Sequence, residues 1–360
     1  MLITILSTAV VLGVLIFVHE LGHFLMARKL GVTVLRFSLG FGPVLFKVKR
    51  GDTEYCLSLI PLGGYVKMLG EEPEEAVDPQ DVPGSFSHQP VWKRFWIVAA
   101  GPLSNFLLAI VIFSGLYALA GMPEMTTEIG TVGADSPAAS AGLQPGDKVI
   151  SINGRVLANW DDLSETIQRL GTKPLELEVE RDRGRFPLMV EPEVRQVKNL
   201  FGETIDRPVI GITAAGKFEI RSVNPASAVY YSLVQTWNLS KLFFLTVVKL
   251  IQRVLPMETL GGPIMIAQMA GQQAQEGLLN FLNFMALISV NLGILNLLPV
   301  PVLDGGHLFF FLLEAILGRP IAVNKLAAAQ KVGMVLLIML MVFVFYNDIM
   351  RLLPGGSPLP

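Results

Sequence analysis

Val18-His19-Glu20-Leu21-Gly22-His23-Phe24 sits inside an apolar run from Leu2 to Met26. That run is long enough to cross the ~30 Å hydrocarbon core of a bilayer as a helix. Two histidines four residues apart share one helix face and can bind one ion through their imidazoles, and Glu20, beside the first, can reach a metal-bound water. On a soluble helix such a pair can be a hydrogen-bonded packing feature. Here three ionisable groups lie within a span, where each costs about 2.5 kcal/mol or more unless something holds it, and that cost favours a functional metal. No basic n-region precedes the run and no small-residue cleavage site follows it, so it reads as a retained span.

The rest of the chain fits a polytopic membrane protein: 52% of its 360 residues are hydrophobic, 16% are charged, and mean hydropathy is +0.54. A soluble domain carries about 25% charged residues. A net charge of -2 without a basic cluster offers nucleic acid no general attraction. Cys56 is the single cysteine, which excludes an internal disulfide and suits a buried structural thiol. Three more runs qualify as spans: Phe95 to Leu119, Leu278 to Leu298, and Val332 to Tyr346 with its flanks. The expected fold class is an α-helical polytopic membrane protein with four transmembrane helices and one inserted α+β domain.

Lys and Arg cluster between the first two spans, at Arg28, Lys29, Arg36, Lys47, Lys49, Arg50, Lys67, Lys93 and Arg94, which marks that side as cytoplasmic. The amino and carboxyl termini then both lie outside. This predicts spans at 1–27, 95–120, 278–299 and 332–353, a cytoplasmic segment at 28–94, an external domain at 125–215, a membrane-surface segment at 216–277 and a cytoplasmic loop at 300–331. Leu239 to Leu255 is apolar but carries Lys241, Lys249 and Arg253, so it is read as an amphipathic surface helix rather than a fifth span. Parity agrees, because four spans bring His19 and Asp304 to the same side and five would separate them.

Within the cytoplasmic segment, Val44 to Val48 and Tyr55 to Ile60 predict a β-hairpin around Lys49-Arg50-Gly51-Asp52. With its glycine-rich flanks, including Gly63 and Gly64, it could dip into the bilayer and offer a strand edge to an extended substrate. An ordinary cytoplasmic loop is the competing reading. Glu71 to Asp81, acidic with prolines, is read as a solvated linker. Outside the bilayer, Ile129 to Glu193 predicts strand, short helix, a Gln144-Pro145-Gly146-Asp147 turn, strand, an Asn153-Gly154 turn, a helix from Trp160 to Leu170, and strands at Leu175 to Glu180 and Arg185 to Val190. This run resembles a bacterial-type PDZ domain, which implies binding of a peptide or carboxyl terminus or, alternatively, a size filter.

A catalytic zinc needs a third protein ligand and an open position. Asp304, in Leu303-Asp304-Gly305-Gly306-His307, is the best candidate because it follows an apolar span and shares the side of His23. A helix-cap or turn aspartate before Gly-Gly is the alternative. His88 reads as structural or solvated, and His307 as a weaker ligand candidate, more often a packing group beside the site.

With HELGH in the first span, Gly101-Pro102-Leu103-Ser104-Asn105-Phe106 in the second, the PDZ-like unit, and Asn291 to Gly306 with its Asn296-Leu297-Leu298-Pro299 core, the chain resembles the site-2 protease family of intramembrane zinc metalloproteases. Within it, the chain is similar to the bacterial branch that regulates sigma-E, in a single-PDZ form. The resemblance implies Zn2+ held by His19, His23 and Asp304, with Glu20 as base. It places Asn105, Asn296 and Pro299 near metal or substrate, and Gly63 and Gly64 join them as candidates on the hairpin. Implied partners are single-span membrane proteins, among them anti-sigma factors and leftover signal peptides, at a bacterial inner membrane. Asn105 and Asn296 could donate to an oxyanion or bind helices together. A PDZ-bearing receptor with a structural metal site is the rival from another class, and the presence of Glu20 argues against it.

Overall fold

Of the chain's 360 residues the computed structural model describes 1–71 and 77–353, so part of the acidic stretch Glu71 to Asp81 lies outside the described residues. Four described helices are long and apolar enough to cross a membrane: Leu2–Lys29, Val91–Ala120, Leu278–Leu297 and Asn324–Leu352. The chain separates into two units, one comprising Met1–Leu116, Ala228–Val247 and Pro256–Pro360, the other Tyr117–Ser227 and Val248–Leu255.

The first unit begins with α1 (Leu2–Lys29), whose last turn carries Arg28 and Lys29, cations that complement the carbonyl end of the helix. Two long antiparallel strands follow, β1 (Val34–Arg50) and β2 (Thr53–Met68), turning at Gly51. They are longer than the sequence pattern suggests because the glycine-rich flanks are themselves strand. Gly40 and Gly42 take φ of 91° and 83°, which bends β1 and shifts its register. Phe37 therefore has partners in both Val66 and Tyr55, whereas Val48 pairs with Tyr55 at an outer edge. Phe46 and Val48 on that edge are 70% and 66% exposed.

Helix α2 (Val91–Ala120) packs on α1 with no room to spare: a Cβ on Gly22 would collide with the Ala100 carbonyl and Ser104 Oγ.

The second unit contains β3 (Met122–Met125), β4 (Ile129–Val132), α3 (Pro137–Ser140), β5 (Lys148–Ile152), β6 (Arg155–Val156), α4 (Trp160–Leu170), β7 (Leu175–Arg181), β8 (Gly184–Val190), β9 (Glu193–Lys198), β10 (Thr204–Val209), β11 (Ile212–Ala214) and β12 (Phe218–Arg221). A four-stranded sheet of order β6-β5-β7-β8 and the β11-β4 pair enclose Val149, Ile152, Leu175, Leu177, Val179, Ile129 and Ile210 with Leu163 and Ile167 of α4. Asn159 caps α4 by accepting from the Asp162 amide, and Gly171 ends it at φ 70°. The β10-β9 hairpin lies within the 125–215 expected from sequence, whereas the β12-β3 pair reaches past both of those bounds, because strands at the two ends of the unit find each other across the chain. The Pro145-Gly146-Asp147 turn serves to bury a carboxylate. Asp147 takes a forked pair of bonds from Arg181 at 2.6 and 2.7 Å and one from the Gln144 amide at 2.8 Å. Burial alone would raise that carboxyl, but the Arg181 bonds and the Gln144 amide outweigh burial and hold it below the usual carboxylate range.

Helix α5 (Pro225–Ile251) leads back to the first unit, where Ser232 and Ser114 hydroxyls meet at 2.8 Å. Helix α6 (Pro263–Glu276), part of the expected surface segment, instead packs lengthwise and antiparallel on α1, with Gly271 against Thr4 and the Ala267 carbonyl at Thr8. Its first amides donate to a buried carboxylate, Asp348 of the last helix, from Gly262 and Ile264 at 2.9 Å and Met265 at 3.2 Å. Helix α7 (Leu278–Leu297) meets α2 at Gly293 against the Phe106 ring. The stretch 300–331 is a correction to the sequence reading. It holds a helix, α8 (Asp304–Leu317), because the residues after Gly306 are an apolar run with a single β-branched residue, Ile316, and α9 (Val323–Leu352) starts earlier than Val332.

Two outcomes follow for stability. Gly22→Ala should cost about 1–3 kcal/mol through overpacking of α1 on α2, read as an earlier unfolding transition in detergent. Asp147, with its folded pKa depressed, contributes stability that is full above the unfolded pKa of about 3.9 and is lost as pH falls through the folded value. Hydrogen exchange of β5 and β7 amides in the full chain should therefore show opening becoming easier below about pH 4, and Asp147→Asn should flatten that dependence.

Candidate metal centre

The i, i+4 spacing on α1 turns His19 and His23 to one face, with ring centres 4.8 Å apart. Asp304, the first residue of α8, meets them there. His19 Nε2 lies 3.2 Å from His23 Nε2 and 3.0 Å from Asp304 Oδ2, and His23 Nε2 lies 3.6 Å from the same oxygen. Zinc bonds of 2.0–2.1 Å in a tetrahedron place ligand atoms roughly 3.3 Å apart, so the spacing of these three atoms would suit one such ion. Asp304 Oδ2 is buried and has no partner besides the two imidazoles. Among the described residues these three are the one His/Cys/Asp/Glu group arranged to hold a metal.

The neighbours explain how the imidazoles fit. A Cβ on Gly101 would strike the rings of His23 and His19, so the glycine lets the α2 backbone lie directly against them. His23 Nδ1 donates to the Ile97 carbonyl at 2.9 Å, an arrangement that leaves Nε2 to a metal. Glu20 projects beside the cluster, where the Val66 amide donates to its carboxylate and its Cγ is 3.3 Å from where a Cβ of Gly64 would stand. Glycine there lets β2 run past the carboxylate. Gly63, at φ 139°, abuts the Phe41 ring, where a side chain would not fit. Asn105 and Asn296 both reach His19 Nδ1, at 3.2 and 3.5 Å. Pro299 is exposed just beyond α7.

His88 is exposed and bonded to Ser85 and Ser87, and His307 packs near Phe311. Neither joins the cluster. Sequence reasoning missed the Ile97 carbonyl and Val66 amide, because backbone groups leave no mark in residue type. It also missed Arg94, which donates to Glu314 at 2.7 Å and lies 5.0 Å from the Phe311 ring centre, tying α8 to α2 across 220 residues.

Known proteins place this geometry in context. The model of peptidase family M50 matches residues 7–340. A relative in Rhizobium meliloti whose name assigns it to the zinc metalloproteases is 38% identical, covering 96% of each chain. The metalloprotease MmpA of Caulobacter vibrioides is 34% identical over 97% of this chain and 96% of its own. The regulator of sigma-W protease RasP of Bacillus subtilis is 31% identical over 97% and 99%. Among solved structures, the PDZ domain of an SdrC-like protein from Listeria monocytogenes is similar to 24% of this chain and 84% of that one, at 19% identity and a TM-score of 0.20. At that score the likeness decides nothing about the second unit. The family match extends over nearly the whole chain, spans and the His19-His23-Asp304 cluster included: the protein belongs to peptidase family M50, as an intramembrane zinc metalloprotease of the site-2 type.

Proposed function

We propose that His19, His23 and Asp304 hold the zinc and that Glu20 is the catalytic base. The observation that carries this assignment is the mutual spacing of the three ligand atoms, 3.2, 3.0 and 3.6 Å, at an oxygen with no other donor. When bound, zinc polarises the scissile carbonyl and lowers the pKa of a coordinated water toward ~7. Glu20 takes the proton of the attacking water and delivers it to the amide nitrogen as the peptide bond breaks. Its neighbours keep it aimed, since the Val66 amide holds the carboxylate from the strand side.

A helical substrate has its backbone hydrogen bonds satisfied internally, so a local stretch must unwind before attack. The β1-β2 hairpin supports a place for that stretch. Its edge is open and apolar, and Gly63 and Gly64 keep β2 close to Glu20. Pro299 ends α7 in non-helical backbone, and Asn296 beside it is the group we assign to the developing oxyanion or the substrate backbone. Substrates are membrane proteins cut within or beside a span, with anti-sigma factors and signal-peptide remnants as the classes the family resemblance implies; one relative is named a regulator of sigma-W protease. The four spans support an inner-membrane protein with both termini and the second unit outside and the centre near the cytoplasmic side. The order of strands and helices in that unit supports a PDZ domain, whose groove between α4 and Val209 to Thr213 would take an extended peptide.

The test is reconstitution with a single-span substrate. Glu20→Gln should retain one zinc per chain and cleave about 10²–10⁴-fold more slowly. Full cleavage in that variant would sink the assignment of the base, and zinc bound by the wild type without cleavage of varied substrates would turn the reading toward a receptor.

A further inference from the structure

Both imidazoles turn Nε2 toward Asp304 Oδ2, which leaves the two Nδ1 atoms to the protein. A neutral imidazole that gives one nitrogen to a metal carries its proton on the other, and that N–H needs an acceptor. His23 has one, the Ile97 carbonyl at 2.9 Å. His19 does not. Its Nδ1 faces the Nδ2 of Asn105 at 3.2 Å and the Nδ2 of Asn296 at 3.5 Å, and amide NH₂ groups only donate. The amides as they stand match only the tautomer with its proton on Nε2, which has no lone pair there for a metal. Meanwhile Asn105, with no exposed surface, keeps its Oδ1 buried and unpartnered.

A half-turn of the Asn105 amide removes the conflict, since oxygen and nitrogen exchange places in nearly the same volume. The backbone need not move: the Asn105 carbonyl stays pinned to α7 by the Ser289 hydroxyl at 2.7 Å. The turn trades one unpaired buried group for another, so its gain is a new Nδ1–H···Oδ1 bond in place of a donor facing a donor. We infer that Asn105 presents its carbonyl oxygen to His19 Nδ1 and is a positioning residue, holding His19 in the tautomer and orientation that ligate zinc, and that it does not donate to substrate. This rests on the metal reading of His19, His23 and Asp304. It separates two asparagines that sequence leaves equivalent: Asn105 serves the ligand, and the more distant Asn296 stays free for substrate.

The experiment measures zinc affinity by chelator competition, the visible spectrum of the cobalt-substituted protein, and cleavage of a single-span substrate, all on the full chain in detergent. Asn105→Leu removes the acceptor and should weaken zinc binding by about 10–100-fold and shift the cobalt bands. Asn105→Asp offers only acceptors and should keep zinc within a few-fold of wild type, with the cobalt spectrum and most of the cleavage retained. Zinc held by Asn105→Leu as tightly as by wild type would overturn the inference. So would an Asn105→Asp variant that binds zinc normally but has lost cleavage, the signature of a donor to substrate. If Asn105→Leu does not fold, Asn105→Asp alone still decides between acceptor and donor. His19→Ala in the same competition keeps the two levels apart: unchanged zinc affinity there would remove the metal reading itself, whatever Asn105 does.

Discussion

The closeness of α1 and α2 is the constraint on which the site depends. Gly22 has the Ala100 carbonyl and Ser104 against it, and Gly101 has the rings of His23 and His19. Small residues let helix backbones approach where no hydrophobic force separates helix from lipid, and the approach is stabilised by packing and by interhelical hydrogen bonds. It does more than join two helices. With α2 this near, the Ile97 carbonyl becomes a partner for His23 and Asn105 comes within reach of His19. The helix interface therefore furnishes the polar surroundings that make imidazoles tolerable at such depth.

The parts legible in the sequence are those written in side chains along one element. His19, Glu20 and His23 declare a candidate metal face because a helix repeats about every 3.6 residues, and the long apolar runs declare spans because a bilayer has a fixed thickness. Asp304 was harder. Its residues allow a cap or turn as readily as a ligand, and only the parity of span crossings brought it toward His23. The helix α8 stayed hidden because Asp304-Gly305-Gly306 reads as a loop, and glycine's usual meaning is punctuation. Here the two glycines do something else: side chains on them would strike the backbone of Leu297, Leu298, Val300 and Pro301, so they let the helix start tight against the turn that precedes it. The register of the hairpin was hidden for a related reason, since Gly40 and Gly42 bend the strand instead of ending it.

Unequal second partners distinguish the two histidines. His23 leans on a backbone carbonyl, which exists whatever residue occupies position 97, so its tautomer is fixed by the course of α2. His19 leans on a side-chain amide, whose two ends are chemically opposite and which can turn. One proposed ligand is held by the fold and the other by a residue choice.

The third proposed ligand completes this pattern from the opposite direction. Asp304 opens α8, where free amides and the helix dipole favour a negative charge, so the carboxylate is stabilised by the helix that carries it. The last turns of that helix bear Glu314, paired with Arg94 of α2 in a contact 14% exposed on each side, with the Phe311 ring beside the guanidinium. A bidentate-capable cation against a carboxylate and an aromatic face, largely removed from water, fixes the far end of α8 more firmly than an exposed pair could. The near end is fixed by the two glycines. An aspartate in a flexible loop would have to lose conformational freedom each time a metal bound, whereas one at the start of a helix clamped at both ends has already lost it. All three proposed ligands thus lie on helices tied to α2, and the α2 backbone is the common reference for their geometry.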